Sequence, residues 1–260
     1  LDRLAKLKNI PLWAGVVVHD ALEAYLKTHD RLPTDTEREA FIRSVTHGQL
    51  AQDWNYSKAG MKKFRLQEHE FNVPVSDWEK KVLIGLVTVC LRNAFISPIM
   101  AEMYEVGKKN WLTVEERLEY PIDWVKVVGR MDGCYRAKSD KVKIFDWKTG
   151  RWTGGFNVEQ IAGYALYAFQ KGWASKPEEI ETTLAYLAVP EYKTHVVTWD
   201  ELAKAKDFVL KSAAAMKDKM YDKEANTTLG RDFPTTDNTW KCKRCQFRGV
   251  CPGGLRVSLR

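Results

Sequence analysis

The sequence predicts an α/β protein, with a mixed central β-sheet flanked by helices and a small Cys knot at its C-terminal end. Three observations carry that expectation. Helical periodicity dominates residues 12–104. Short β-branched segments then follow one another over 111–149 and return at 180–199, around an intervening helix. Three cysteines finally fall within residues 242–251.

Taken in order, "LWAGVVVHDALEAYLK" (12–27) has helical spacing, with Val16, Leu22, Tyr25 and Leu26 on an apolar side and Glu23 and Lys27 as an i,i+4 pair. Residues 33–48 predict a second helix, with Thr34 or Asp35 as its cap and Gly48 as its stop. Residues 49–74 are polar and aromatic and predict a partly helical connection. Residues 76–104 predict a long helix broken at Pro98, which lacks an N–H and clashes with the preceding turn. Strands are expected at 111–122, 125–137 and 141–149, the last two forming a hairpin through "SDK" (139–141). A helix at 157–172, strands at 180–190 and 193–199, and a helix at 200–224 capped by Asp200 complete the core. The expected organisation is one domain over 1–260: a helical part (1–110), an α/β core (111–224) and a Cys-rich tail (225–260).

The chain has 260 residues, 45% of them apolar, which is enough to fill a sizeable core. Its net charge of +7 fits a polyanionic partner. No apolar run reaches the roughly 18 residues of a membrane span, and "LDRLAKLKN" leads into no signal peptide. The first residue is Leu, so the natural chain is expected to extend upstream. Five cysteines, an odd count clustered at the end, point to a reducing compartment and a metal or cluster site rather than a disulfide framework.

The chemistry centres on "IFDWKTG" (144–150). In a strand, residues i and i+2 share a face about 6.6–6.8 Å apart. Asp146 and Lys148 therefore project together, and Trp147 anchors the opposite layer. By the same parity Arg130, Asp132 and Cys134 share a face of the preceding strand, and the hairpin brings Asp132 toward Asp146. Two converging carboxylates repel unless a cation lies between them. A hard ion such as Mg²⁺ or Mn²⁺ takes oxygen ligands and leaves room for water and phosphate. Lys148 could then orient a water or offset charge on phosphate, and His19 could add a nitrogen ligand.

These residues, in the order His19, Gly129-Arg130-x-Asp132, Asp146-Trp147-Lys148, then Gln160-x3-Tyr164, resemble the PD-(D/E)xK nuclease superfamily over residues 12–251. More narrowly they resemble its RecB-like branch, with the nuclease domains of recombination helicase–nucleases and CRISPR-associated iron–sulfur exonucleases. The resemblance implies a restriction-endonuclease-like core and a deoxyribonuclease, an exonuclease on DNA ends or single strands in recombination, repair, phage or CRISPR-related processing. It implies that His19, Asp132, Asp146 and the Trp147 carbonyl hold Mg²⁺ or Mn²⁺, and that Lys148 is the catalytic lysine. Gln160, Tyr164 and Arg130 would hold DNA. It also implies a bacterial, archaeal or phage-encoded cytoplasmic protein working with a helicase, recombinase or integrase.

Cys242-x2-Cys245-x5-Cys251 supplies three ligands for zinc or an iron–sulfur cluster, which spacing alone does not separate. The resemblance favours a 4Fe-4S cluster whose fourth cysteine lies far upstream. No Cys precedes His19, so that ligand is expected upstream of Leu1, and Cys90 and Cys134 are expected to be buried as small apolar residues. Two rival readings remain at this stage: a non-catalytic nucleic-acid-binding module with a zinc knuckle, and an accessory nuclease active only in a larger complex.

Overall fold

The computed structural model describes residues 2–151, 154, 158–230 and 234–255. After a short α1 (Asp2–Ala5), α2 spans Ile10–Thr28, capped by Asn9, whose side chain accepts from Leu12 N–H. α3 (Asp35–Ser44) begins in a capping box between Thr34 and Glu37. The expected stop at Gly48 is not one. The chain continues through a π-turn (Val45–Gln49) into α4 (Leu50–Lys58), and both Val45 and Leu50 stay in the core. One extra residue in that turn keeps the apolar face aligned. α5 is one turn (Gln67–Glu70). The long helix breaks as predicted, giving α6 (Asp77–Phe95) and α7 (Pro98–Val106).

Five strands follow: β1 (Trp111–Ile122), β2 (Val125–Arg136), β3 (Val142–Lys148), β4 (Ile180–Tyr186) and β5 (Glu191–His195), in the spatial order β1-β2-β3-β4-β5. Only β3 and β4 are parallel. Their crossover carries α8 (Val158–Gln170), as a parallel connection requires. The expected helix start at Asn157 lies outside the described residues. β5 ends short of Trp199 because α9 (Trp199–Asp218) begins there. Its cap is Thr198, not Asp200: Thr198 Oγ1 accepts from Glu201 N–H at 3.2 Å and Glu201 accepts from Thr198 N–H at 2.9 Å. A small hairpin, β6 (Met220–Asp222) and β7 (Thr227–Thr228), was not expected from the sequence. α10 (Thr239–Arg244) and α11 (Pro252–Leu255) carry the tail.

The sheet separates two cores. Trp13, Val17, Val18 and Leu22 of α2 pack with α6, α7 and the side chains of Tyr135, Phe145 and Trp147 on one face. Ile144, Val142 and Cys134 pack with Ile161, Ala165 and Leu202 of α8 and α9 on the other. Cys90 and Cys134 are fully buried, as expected of small apolar residues. Strict alternation makes β3 readable: Phe145 and Trp147 face the helical layer, Ile144 the α8 layer. Among the described residues no single helix is long and apolar enough to cross a membrane. α6 and α7 pass together only as a pair bent by 43°.

Candidate active site

The site forms where the two cores meet. α2 lays His19 against the sheet, and the β3 end carries Asp146 and Lys148 toward α8. The β2–β3 register stops at Gly133–Phe145. The next rung is made by a side chain: Asp132 Oδ2 accepts from Trp147 N–H at 2.5 Å. Asp132 and Asp146 are thus brought together as predicted, and both are buried.

The expected shared face of Arg130, Asp132 and Cys134 does not hold. Arg130 reaches α2, donating to Glu23 Oε2 at 2.6 Å, whereas Cys134 joins the α8 core. The alternation slips because Glu115, across the β1–β2 pair, has φ of 51°, a left-handed conformation rare outside glycine. The kink turns the Glu115 carboxylate inward, where it is almost fully buried.

Glu115 is the site residue that sequence reading missed. Its Oε1 lies 2.9 Å from His19 Nδ1, and Asp132 Oδ1 lies 3.3 Å from the same nitrogen. His19 Nε2 lies 3.1 Å from the Trp147 carbonyl. Among the described residues, His19, Glu115 and Asp132 are the one group of three whose ligand atoms come within 4.8 Å of one another. The tail cysteines form no such group.

The electrostatics follow from this crowding. Burial works against a charged His19, but the hydrogen bonds and charges of Asp132 and Glu115 outweigh it and hold its pKa up to about 10. Burial raises Asp132, against the opposing pull of His19. Burial and then the Asp132 charge push Asp146 up to about 6. Lys148 Nζ sits 2.5 Å from Asp146 Oδ2 and donates to Gln160 Oε1 at 3.3 Å.

Gln160 and Tyr164 are one turn apart on α8 and reach the same carboxylate. Gln160 Nε2 donates to Asp146 Oδ1 at 2.9 Å and to the Tyr164 hydroxyl at 2.8 Å. The Tyr164 hydroxyl donates to the Arg130 carbonyl at 2.8 Å, with Asp146 Oδ1 at 3.2 Å as its alternative acceptor. In this structure both residues orient Asp146. Arg130 is likewise engaged, its Nε lying 3.0 Å from Glu115 Oε2. Together with Thr149, Arg151 and Tyr186, these groups line a cleft of about 540 Å³.

The sequence matches the PD-(D/E)XK nuclease superfamily over residues 2–252. The chain belongs to that superfamily. Among solved structures, the crystal structure of SSO0001 is 16% identical, over 72% of this chain and 93% of that one, with a TM-score of 0.34. None of the curated proteins compared matches the chain. Membership in the PD-(D/E)XK nuclease superfamily makes this a nuclease-type hydrolase, and members of the superfamily typically use Mg²⁺ or Mn²⁺.

The residues fit such an ion. The converging donors are two carboxylates and one imidazole, those of Glu115, Asp132 and His19, a set a hard cation takes. Asp146 lies outside that group, and the Trp147 carbonyl faces the other nitrogen of the His19 ring. Asp146 Oδ2 is buried with the Lys148 ammonium as its ion-pair partner.

Proposed function

We propose that this chain is a metal-dependent deoxyribonuclease of the RecB-like branch, an exonuclease acting at DNA ends or on single strands. The observation that carries it is the convergence of His19, Asp132, Asp146 and Lys148 in one cleft, with Glu115 as a further carboxylate. A non-catalytic binding module has no use for buried acids set against a lysine.

Asp132, Asp146, His19, Glu115 and the Trp147 carbonyl are the candidate ligands. Mg²⁺ or Mn²⁺ bound there would supply Lewis acidity to a phosphate oxygen and to water. Lys148, beside Asp146 and steadied by Gln160, orients the attacking water and offsets charge growing on the phosphate. Gln160 and Tyr164 hold Asp146 in its rotamer, and a strand in the cleft would meet their outer edges.

The tail belongs to the same reading. Gln246 Nε2 donates to the Ala5 carbonyl at 3.3 Å, so the cysteine segment lies beside the start of the described chain. That adjacency supports an iron–sulfur site completed by an upstream cysteine, with zinc as the alternative occupant. A helicase, recombinase or integrase partner in a cytoplasmic setting completes the proposal.

The test is cleavage of end-labelled single- and double-stranded DNA with Mn²⁺ or Mg²⁺, set against Lys148→Ala. Metal-dependent products that vanish with EDTA and in the variant support the reading, and the product ladder gives polarity. Binding without cleavage in either metal would reject it.

A further inference from the structure

A second crevice, away from the catalytic cleft, has the chemistry of a nucleotide seat. It lies between α4, α5 and the start of α6, has a volume of about 500 Å³, and is lined by Trp54, Lys58, Arg65, Glu68, His69, Asn72 and Lys80, among others. That volume suits a ligand of nucleotide size.

Its charge is mostly of one sign. Lys58 Nζ and Lys80 Nζ stand 6.0 and 5.2 Å from the centre of the Trp54 ring. Among the described residues Lys58 has no ion-pair partner, and Lys80 pairs only with the exposed Asp77. Arg65 is held by Glu70, Ser57 and His69. Glu68, the one carboxylate in the lining, accepts from Ile10 N–H at 3.1 Å through Oε1. Trp54 is half-buried, with the Trp13 ring centre at 6.4 Å and His69 in a T-shaped contact at 4.6 Å. Ammonium groups near its outer part are held by only about 0.5–1 kcal/mol each. They are free to turn to a phosphate while a base takes the ring.

His69 supplies a donor. Its Nδ1 is 2.6 Å from Ser57 Oγ, which itself accepts from Leu66 N–H at 2.8 Å. With the Ser57 hydroxyl donating to Nδ1, the ring hydrogen lies on Nε2. Burial, then the charges of Arg65, Lys58 and Lys80, lower the His69 pKa and keep the ring neutral.

More positive charge lies next to the crevice. A neighbouring cavity of about 240 Å³ shares Glu68 and Val73 with it and is lined by Asn9, Lys243, Arg244 and Arg248. Asn9 caps α2, whose His19 lies ten residues on, about 15 Å along the axis. A strand a few nucleotides long can span that distance.

We infer that the Trp54 crevice is a second strand-binding site, seating one nucleotide of a single-stranded DNA outside the catalytic cleft, with its base against Trp54 and its phosphate between Lys58 and Lys80. The inference rests on the DNA reading proposed above, and it concerns binding, not chemistry.

The experiment measures anisotropy of labelled 20-nucleotide and 6-nucleotide single strands on the full chain in EDTA. It compares the parent, Trp54→Leu and Lys58→Gln, and follows Mn²⁺-dependent hydrolysis of bis-p-nitrophenyl phosphate in each. Stacking on one aromatic ring corresponds to a loss of at least about fivefold on the 20-mer for Trp54→Leu. Lys58→Gln, at an exposed position that leaves the fold intact, lowers the slope of log K against log salt by about 0.7. Hydrolysis of the small ester stays unchanged. A 20-mer bearing 5-iododeoxyuridine crosslinks on irradiation to the peptide holding Trp54. Unaltered 20-mer affinity in both variants, or crosslinks only elsewhere, overturns this site and leaves the nuclease reading standing. If the parent does not bind single strands but cuts double-stranded ends, this site falls alone; if it cuts neither kind of DNA, both fall.

Discussion

With His19 as a metal ligand, as proposed, metal uptake is expected to be strongly pH-dependent, because its neighbours favour the protonated ring. In the metal-free chain its Nδ1 faces Glu115 and Asp132 and its Nε2 faces the Trp147 carbonyl, so only the doubly protonated ring satisfies all three acceptors. With a pKa of about 10, the ring stays almost fully protonated at neutral pH. An ion using His19 as ligand must displace that proton. At pH 7 this lies three pH units below the pKa, a penalty on the order of 4 kcal/mol, or about a thousandfold in affinity. Apparent Mn²⁺ affinity is therefore expected to rise about tenfold per pH unit from pH 6.5 to 9, with about one proton released per ion. Below the Asp146 pKa of about 6 a second proton competes and the dependence steepens. Isothermal titration in buffers of different ionisation enthalpy reads both quantities. An affinity level across pH 6.5–9, with no proton release, would refute the reasoning.

Other outcomes follow from the same contacts. Lys148→Ala is expected to lower turnover at least a hundredfold while leaving Mn²⁺ affinity within a few-fold, separable by titration and kinetics. The metal-free chain is expected to lose stability as pH rises. The raised His19 pKa contributes fully below about 6.5 and is lost toward about 10, a window that thermal melts in EDTA would trace. Gly133→Ala sets a methyl 2.0 Å from Phe145 Cζ, and a cost of about 1–3 kcal/mol should appear as a lower denaturant midpoint. Thr198→Ala removes the α9 cap and should cost about 1 kcal/mol in the same assay.

Much of the fold was legible because the sheet keeps its period. Asp146 and Lys148 flank a buried Trp147 in a strand that alternates without interruption, so their shared face could be read directly. Asp132 was placed by the "SDK" turn, where Asp140 takes φ of 65°. Glu115 could not be read in this way. It is one of three acids in "VEERLE", and what singles it out is a backbone kink that no residue type announces. The same kink defeated the parity argument for Arg130 and Cys134. Gly48 misled because glycine usually stops a helix, whereas here the apolar face resumes past a π-turn. The α9 cap was different: Thr198-x-x-Glu201 has capping-box spacing, so that signal was present in the sequence.

The kink at Glu115 has a mechanical meaning. By changing sides halfway along, the β1–β2 hairpin belongs to both cores, and the acidic cluster sits at the crossing point. His19 arrives from the helical layer, Asp132 and Glu115 from the hairpin, and Asp146 from the central strand, with α8 bracing it. An ion held there, as proposed, would act as a clasp: neither layer could peel away without opening it. A half-assembled chain would present no complete nest of ligands, and so cutting power would arrive only with the finished fold.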